Sequence, residues 1–225
     1  MLQELLQVLF PSTCASCNDV LVRGERQICM NCLANLSLTH YSTMPHNPVE
    51  ELLMAQFDLT KATAICHFQK ESTVQHVVHA MKFHGNTELC RLMGRQMGLS
   101  LLSSGRFDDV DVLVPVPLHW RRRLKRGYNQ SLLLCRGIAE VFHREVCNNA
   151  VVRHRYTHQQ SLQNSHKRAY NVQGAFSVRK AKLLEGRHVL LVDDVITTGA
   201  TISACAKVLS SIPGIKISVA AFSIA

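Results

Sequence analysis

The chain lacks the features of a membrane-spanning or secreted protein. No apolar run reaches the roughly 18 residues that a membrane-spanning helix requires. The segment from Met1 to Pro11 contains Glu4 and has neither a basic start nor a small-residue cleavage site. It therefore predicts a short amphipathic helix ended by Pro11, and not a signal peptide. The nine cysteines are an odd number, which argues against a framework of disulfide bonds. We therefore expect a cytoplasmic protein.

Acidic side chains are scarce in this sequence. The 225 residues include 25 lysines and arginines but only 16 aspartates and glutamates, which gives a net charge of +9. Such a balance favours an anionic partner, which can be a nucleic acid, a phosphorylated metabolite or a membrane surface. The charge alone does not choose among these three.

Four of the cysteines form two Cys-x2-Cys pairs with eleven residues between them: Cys14, Cys17, Cys29 and Cys32. Two pairs at this separation predict a zinc ribbon, in which the Asn18 to Gln27 insert folds as a hairpin. Four thiolates complete a tetrahedral shell, so the Zn²⁺ would be structural and would supply folding free energy. The alternative is four unrelated free cysteines. The other five cysteines lack such spacing and are expected to be small buried apolar residues.

The most informative stretch runs from His188 to Thr201. The residues from His188 to Val192 predict a buried strand, and two carboxylates follow it, Asp193 and Asp194. A turn of small residues then leads into an amphipathic helix: Thr197, Thr198, Gly199, Ala200 and Thr201. Unpaired amides at a helix start suit a phosphate. Carboxylates beside them can accept hydrogen bonds from sugar hydroxyls or bind a divalent cation. Together these groups suit a ribose 5-phosphate.

Strands and helices alternate through the rest of the chain. This order predicts an α/β fold with a mostly parallel twisted sheet flanked by helices, following a small zinc ribbon. We place the N-terminal helix and ribbon in residues 1–40 and the main domain in residues 41–225. Ligands of such sheets bind at the carboxyl ends of the strands. Three loops should therefore meet at one edge, and they begin near Pro115, Tyr156 and Asp193.

The stretch around Asp193 resembles the phosphoribosyl-pyrophosphate signature of type I phosphoribosyltransferases. That signature has four apolar residues, two acidic residues, two apolar residues and then T-T-G-x-T. Further motifs resemble those of the ComF (GntX-like) family of bacterial competence proteins, beginning with the four-cysteine ribbon. They are K-F-x-G from Lys82, P-V-P-L-H from Pro115, R-G-Y-N-Q from Arg126, R-x-T-x-x-Q from Arg155, R-x-x-N-V from Arg168 and D-D-V-x-T-T-G-A-T from Asp193.

The resemblance implies a type I phosphoribosyltransferase-like domain that binds phosphoribosyl pyrophosphate with Mg²⁺. It implies that Asp193 and Asp194 are catalytic and that a loop from Tyr156 to Asn171 closes over the site. It further implies substrate contacts from the turn at 197–201 and from seven other residues: Pro115, Val116, Pro117, Arg155, Thr157, Gln160 and Arg168. It also implies a role in DNA uptake, with single-stranded DNA and the uptake machinery at the inner membrane as partners.

One position departs from the oxopurine-salvage enzymes of this superfamily. Those enzymes have an aspartate where this chain has Thr197, which argues against hypoxanthine or guanine as the acceptor. The loop after Tyr156 also lacks the lysine and histidine arrangement of an orotate enzyme. The resemblance therefore implies a phosphoribosyltransferase reaction, in which a nitrogen nucleophile displaces pyrophosphate from C1 of the ribose, with no particular acceptor.

A second hypothesis is a single-stranded-DNA-binding accessory protein. Cations lie between two aromatic residues in one short run, and such runs bind single strands: Trp120, Arg121, Arg122, Arg123, Lys125 and Arg126, followed by Tyr128. The same run can instead be a loop that binds pyrophosphate or is simply solvated. A third hypothesis is a ligand-sensing protein without turnover.

Overall fold

Five parallel strands form the central sheet of the computed structural model, which describes residues 11–83, 85–154 and 174–225. They are Lys61–His67 (β1), Val112–Pro115 (β2), Glu145–Val146 (β3), His188–Ile196 (β6) and Lys216–Ile224 (β7). Their order in space is β1-β7-β6-β2-β3, so β6 lies in the middle. Two further strands, Val151–Arg153 (β4) and Phe176–Val178 (β5), form a separate antiparallel pair.

Seven α-helices are described around these strands. They are Met30–Ala34 (α1), Pro48–Met54 (α2), Thr73–Phe83 (α3), Thr87–Ser104 (α4), Trp120–Arg126 (α5), Gln130–Phe142 (α6) and Ala200–Leu209 (α7). A 3-10 turn at Ala181–Leu183 precedes β6. The predicted helix before Pro11 and the whole predicted closing loop, from Tyr156 to Asn171, lie outside the described residues.

Both faces of the sheet are covered by apolar cores. On β6, Leu190 and Val192 join the core that contains residues of α3, α4 and α6. Val189 and Leu191 join the opposite core, which contains residues of α2 and α7. Burial on both faces explains why this strand is a continuous apolar run and does not alternate with polar residues. The predicted mostly parallel sheet flanked by helices is confirmed.

Helices α4 and α6 approach each other closely through glycine. A Cβ built on Gly137 would lie 2.1 Å from the carbonyl oxygen of Arg91, and one built on Gly94 would lie 2.3 Å from that of Leu134. Only glycine allows the two backbones this separation. The contact fixes α6, whose first turn faces the carboxyl end of β6.

The four-cysteine segment packs directly on the main domain. Cys14, Cys29 and Cys32 belong to the same apolar cluster as Ile65 of β1. The segment that follows them runs antiparallel to β1, with Thr39 donating its N–H to the carbonyl of Ile65 at 2.9 Å. This pairing covers the outer edge of β1.

Two local expectations differ from the structure. The predicted strand from His188 to Val192 continues to Ile196, because β7 pairs with it beyond the apolar run, with Asp193 opposite Ala221. The run after Pro117, interpreted as a loop, contains helix α5. His119 caps this helix by accepting the N–H of Arg121, and Gly127 ends it in the left-handed conformation at φ 86°.

Candidate functional site

Asp193 lies near the end of β6 and is buried. Its Oδ1 accepts hydrogen bonds from Oγ of Ser131 at 3.0 Å and from the backbone N–H of Asp194 at 2.9 Å. Burial and the neighbouring carboxylate of Asp194 raise the pKa of Asp193 to about 7. A carboxylate is costly at such a site unless a ligand or cation compensates it.

Asp194 is also buried and meets a cation from helix α3. Its Oδ1 accepts the backbone N–H of Val195 at 2.8 Å. Its Oδ2 lies 3.0 Å from Nζ of Lys82, although among the described residues no donor has hydrogen-bond geometry toward this oxygen. The second oxygen is therefore charge-compensated and still able to accept a hydrogen bond from a ligand.

The R-G-Y-N-Q motif supports this corner of the site. Arg126 is half-buried beside Asp194 and bonds the side chain of Gln130, and burial lowers the pKa of its guanidinium. The hydroxyl of Tyr128 donates to the carbonyl of Met81 at 2.8 Å, which ties the motif to the helix that contains Lys82. Lys82 thus pairs with Asp194 directly, and the charge of Arg126 interacts electrostatically with the same carboxylate.

The turn after β6 is arranged for an anion. Gly199 adopts φ 74° directly before α7, and among the described residues no side chain caps the first amides of this helix. Nε2 of Gln56 donates to the carbonyl of Thr198 at 3.0 Å, and this hydrogen bond links the turn with the segment that follows helix α2. Unpaired amides and the helix dipole favour a phosphate here, and Thr197, Thr198 and Thr201 add hydroxyls.

The loop after β2 runs beside this turn. The backbone N–H of Val116 donates to the carbonyl of Val192 at 2.9 Å, and its carbonyl accepts from Nδ2 of Asn129 at 3.0 Å. The backbone of Val116 is therefore committed to the protein, and its side chain is buried. Pro115 ends β2, and Pro117 is half-buried where the chain turns toward α5.

Helix α5 presents most of the basic run to solvent. Trp120 is 55% exposed, and the guanidinium of Arg121 lies over its ring at 5.3 Å from the centroid. Arg123 and Lys125 are exposed, and Arg122 is half-buried. Arg126 differs from this group, because its guanidinium bonds Gln130 and lies over the ring of Phe83 at 5.7 Å from the centroid.

The four predicted zinc ligands come together in the fold. The Sγ atoms of Cys14, Cys17, Cys29 and Cys32 all lie within 4.8 Å of one another. Sγ of Cys14 accepts N–H groups of Cys29 at 3.3 Å and Ser16 at 3.4 Å. Burial opposes ionisation of this thiol, but the backbone donors outweigh it and lower the pKa of Cys14 to about 7. Four sulfur donors suit a structural Zn²⁺.

The remaining cysteines are buried, as predicted: Cys66, Cys90, Cys135, Cys147 and Cys205. Four predicted substrate residues, Arg155, Thr157, Gln160 and Arg168, lie outside the described residues. None of the helices in the described ranges has the length and hydropathy of a membrane span.

Comparison with known proteins finds relatives over most of the chain. The family described as Phosphoribosyl transferase domain matches residues 129–222. DNA utilization protein YhgH of Escherichia coli is 29% identical over 199 residues, which are 87% of this chain and 83% of that protein. Competence protein F of Haemophilus influenzae is 31% identical over 153 residues, 66% of each chain. The chain belongs to the ComF family.

The ComF family lies within the type I phosphoribosyltransferase superfamily, as the matched domain indicates. A solved structure described as the allosteric regulatory enzyme of purine biosynthesis aligns with a TM-score of 0.41 and 16% identity, covering 63% of this chain and 30% of that one. In this ComF chain the matched residues begin at Asn129, the N-cap of α6, and include both aspartates and the turn that follows them.

Sequence reasoning missed three residues of the site. Lys82 lay within the K-F-x-G motif, but nothing in the motif showed that it pairs with Asp194. Ser131 and Gln56 had no local signal, because their partners lie 62 and 142 positions further along the chain.

Proposed function

We propose that this ComF protein binds phosphoribosyl pyrophosphate with Mg²⁺ at the site formed by Asp193, Asp194 and the turn at 197–201. One observation supports this above all: a buried carboxylate pair directly precedes a helix start whose amides no described side chain caps. The amides would bind the 5-phosphate, and the carboxylates would accept the ribose hydroxyls.

The residues present also fit Mg²⁺. Oxygen donors are what this ion prefers, and Oδ2 of Asp194 retains the capacity to accept a ligand. When bound with the substrate, Mg²⁺ would neutralise the charge of the pyrophosphate. The ion pair with Lys82 would orient Asp194, and the positive charges of Lys82 and Arg126 would partly offset the negative charge of the acidic pair.

The chemistry that follows is transfer of the ribose 5-phosphate group. The C1–oxygen bond to pyrophosphate breaks, and a nitrogen of the acceptor forms the new bond at C1. We propose an acceptor other than hypoxanthine or guanine, because position 197 is threonine. A screen of nucleobases and amines for acceptor-dependent release of pyrophosphate tests this.

Pyrophosphate release that requires one acceptor and is lost in Asp194→Asn would support phosphoribosyltransferase activity. Binding of phosphoribosyl pyrophosphate without release by any acceptor would support a ligand-sensing protein instead. Both outcomes are consistent with the proposed binding site, because an enzyme and a sensor would bind the ligand through the same acidic pair.

The family membership supports a role in DNA uptake, in the cytoplasm beside the inner membrane. A second candidate function, single-stranded DNA binding by helix α5, follows from the exposure of its cations and of Trp120. If about three cations contact phosphates, log K should fall with log salt at a slope of roughly −2.

To test the second candidate, binding of single-stranded DNA is measured at increasing salt concentrations, for the wild type and for a variant with Arg121, Arg122 and Arg123 changed to glutamine. The slope should approach zero if these cations contact DNA phosphates. An unchanged slope, with weaker binding of phosphoribosyl pyrophosphate, would assign α5 to pyrophosphate.

We also propose that the four clustered cysteines bind one structural Zn²⁺. The proximity of their Sγ atoms and the apolar packing of three of them support it.

A further inference from the structure

A cavity of about 510 Å³ lies apart from the acidic pair and the turn at 197–201, and its described lining includes only Pro115 and Pro117 of the substrate contacts that the resemblance implies. It opens between helices α5 and α6 on one side and strand β4 on the other. Its wall includes proline, leucine and valine side chains, together with Trp120, Arg123, Arg136, Arg153 and Arg179. Neither acidic residue of the site and no residue of the turn at 197–201 lines it.

The polar part of this cavity has one sign of charge. Four arginines line it, and none of its described lining residues is acidic. In the described ranges no salt bridge joins Arg123, Arg136 or Arg179 to a carboxylate. Like charges lining a concave, partly apolar surface focus a positive potential that attracts anions. Guanidinium groups are also the donors best matched to phosphate oxygens.

The apolar part of the cavity suits a planar ring. The indole of Trp120 is 55% exposed and lines the cavity next to apolar side chains. Nucleobases stack on such rings whatever their sequence. The volume falls within the range of about 300–1,000 Å³ that small-ligand sites occupy.

We infer that this cavity binds a nucleotide, with the base against Trp120 and the phosphate among the arginines. Phosphoribosyl pyrophosphate has no base to occupy the apolar wall, so the cavity is a second site with its own ligand. The nucleotide can be free or can be one unit of a single strand, since both offer the same base and phosphate.

The chain has a single tryptophan, so tryptophan fluorescence reports on Trp120 alone. We would titrate the full chain with thymidine 5′-monophosphate, thymidine and oligothymidylate while following Trp120 emission. Saturable quenching by either phosphorylated probe is expected, and thymidine should bind at least about tenfold more weakly because it lacks the charged acceptor.

The double variant Arg136→Gln/Arg179→Gln should weaken the nucleotide affinity at least about tenfold. Both side chains are exposed, so the fold should persist, and circular dichroism checks it. The matched control, Arg23→Gln/Lys207→Gln, removes the same charge from exposed positions outside the cavity. Asp194→Asn should leave nucleotide binding unchanged, which separates this inference from the proposed function.

Quenching by thymidine 5′-monophosphate would show that a free nucleotide is sufficient to bind in the cavity. Quenching by oligothymidylate alone, lost in the double variant, would identify a unit of a strand. The inference is overturned if neither phosphorylated probe quenches Trp120 emission or if thymidine binds as tightly as thymidine 5′-monophosphate. It is also overturned if the double variant binds the phosphorylated probes as tightly as the wild type.

Discussion

Lys82 and Asp194 form an ion pair in which Nζ lies 3.0 Å from Oδ2, with 19% and 7% of their side chains exposed. The lysine comes from helix α3 and the aspartate from the end of β6. The pair neutralises one carboxylate of the site before any ligand arrives, and it links two of the sequence motifs.

Replacing Lys82 by methionine should lower the free energy of unfolding by about 1–3 kcal/mol, because it leaves a buried carboxylate without its cation. The double variant Lys82→Met/Asp194→Asn should recover part of this loss. Urea unfolding of the four proteins measures the coupling. Losses that simply add would show that the pair does not interact.

The turn at Gly199 should not tolerate a side chain. A Cβ there would lie 2.7 Å from Cδ2 of Leu53 and 2.9 Å from Nε2 of Gln56, and φ is positive. Gly199→Ala should cost about 1–2 kcal/mol for the backbone and about 1–3 kcal/mol for the overlap, and it should weaken phosphate binding. Gly186→Ala is the control, since it has φ 67° and no atom within 4 Å.

Thermal unfolding and ligand titration of the two alanine variants check this prediction. Only the backbone cost should remain in Gly186→Ala, with ligand affinity unchanged. Equal effects of the two substitutions would mean that Leu53 and Gln56 do not restrict the turn.

The stability of the ligand-free protein should depend on Asp193. Its pKa is raised to about 7 in the folded state, chiefly by burial, while the unfolded carboxyl ionises near its usual value of about 3.8. The folded state therefore binds the proton more tightly. The stabilisation that protonated Asp193 gives the folded state is complete below about pH 4 and is lost as the pH rises through about 7.

Asp193→Asn should remove this dependence and stabilise the protein at pH 8 by about 2–4 kcal/mol. Urea unfolding from pH 5 to 8, without added Mg²⁺, is the measurement. A wild type and variant whose stabilities change in parallel over this range would contradict the raised pKa.

The proposed zinc site should lose its metal when one thiolate is removed. Wild-type protein should contain one Zn²⁺ per chain, and Cys29→Ser should contain none, with loss of structure over residues of about 12–34. The sheet should stay folded but be less stable, because Cys29 shares a core with Ile65. Metal analysis is the readout, and Cys147→Ser, at a buried position outside the cluster, is the control.

The parts of the fold that follow from local patterns could be predicted from the sequence. The apolar run, two aspartates and small turn place β6, the acidic pair and the start of α7, because each lies within one continuous stretch. Contacts such as Gln56 with Thr198 could not be predicted, since they depend on how α2 packs against the turn.

Helix α5 was missed for a different reason. The resemblance indicated a pyrophosphate loop after β2, although the arginine, leucine and lysine residues of this run are good helix formers. Pro117 and Gly127 flank the helix and do not interrupt it, and the side chain of His119 supplies the N-cap.

Calorimetric titration with phosphoribosyl pyrophosphate and Mg²⁺ tests the central claim most directly. Asp194→Asn and Thr198→Val should each weaken binding about tenfold or more, because each removes a charged or polar partner of the ligand. Asp58→Asn and Thr60→Val, at exposed positions, are the matched controls and should bind like the wild type. Equal affinity of the wild type, Asp194→Asn and Thr198→Val would contradict the account.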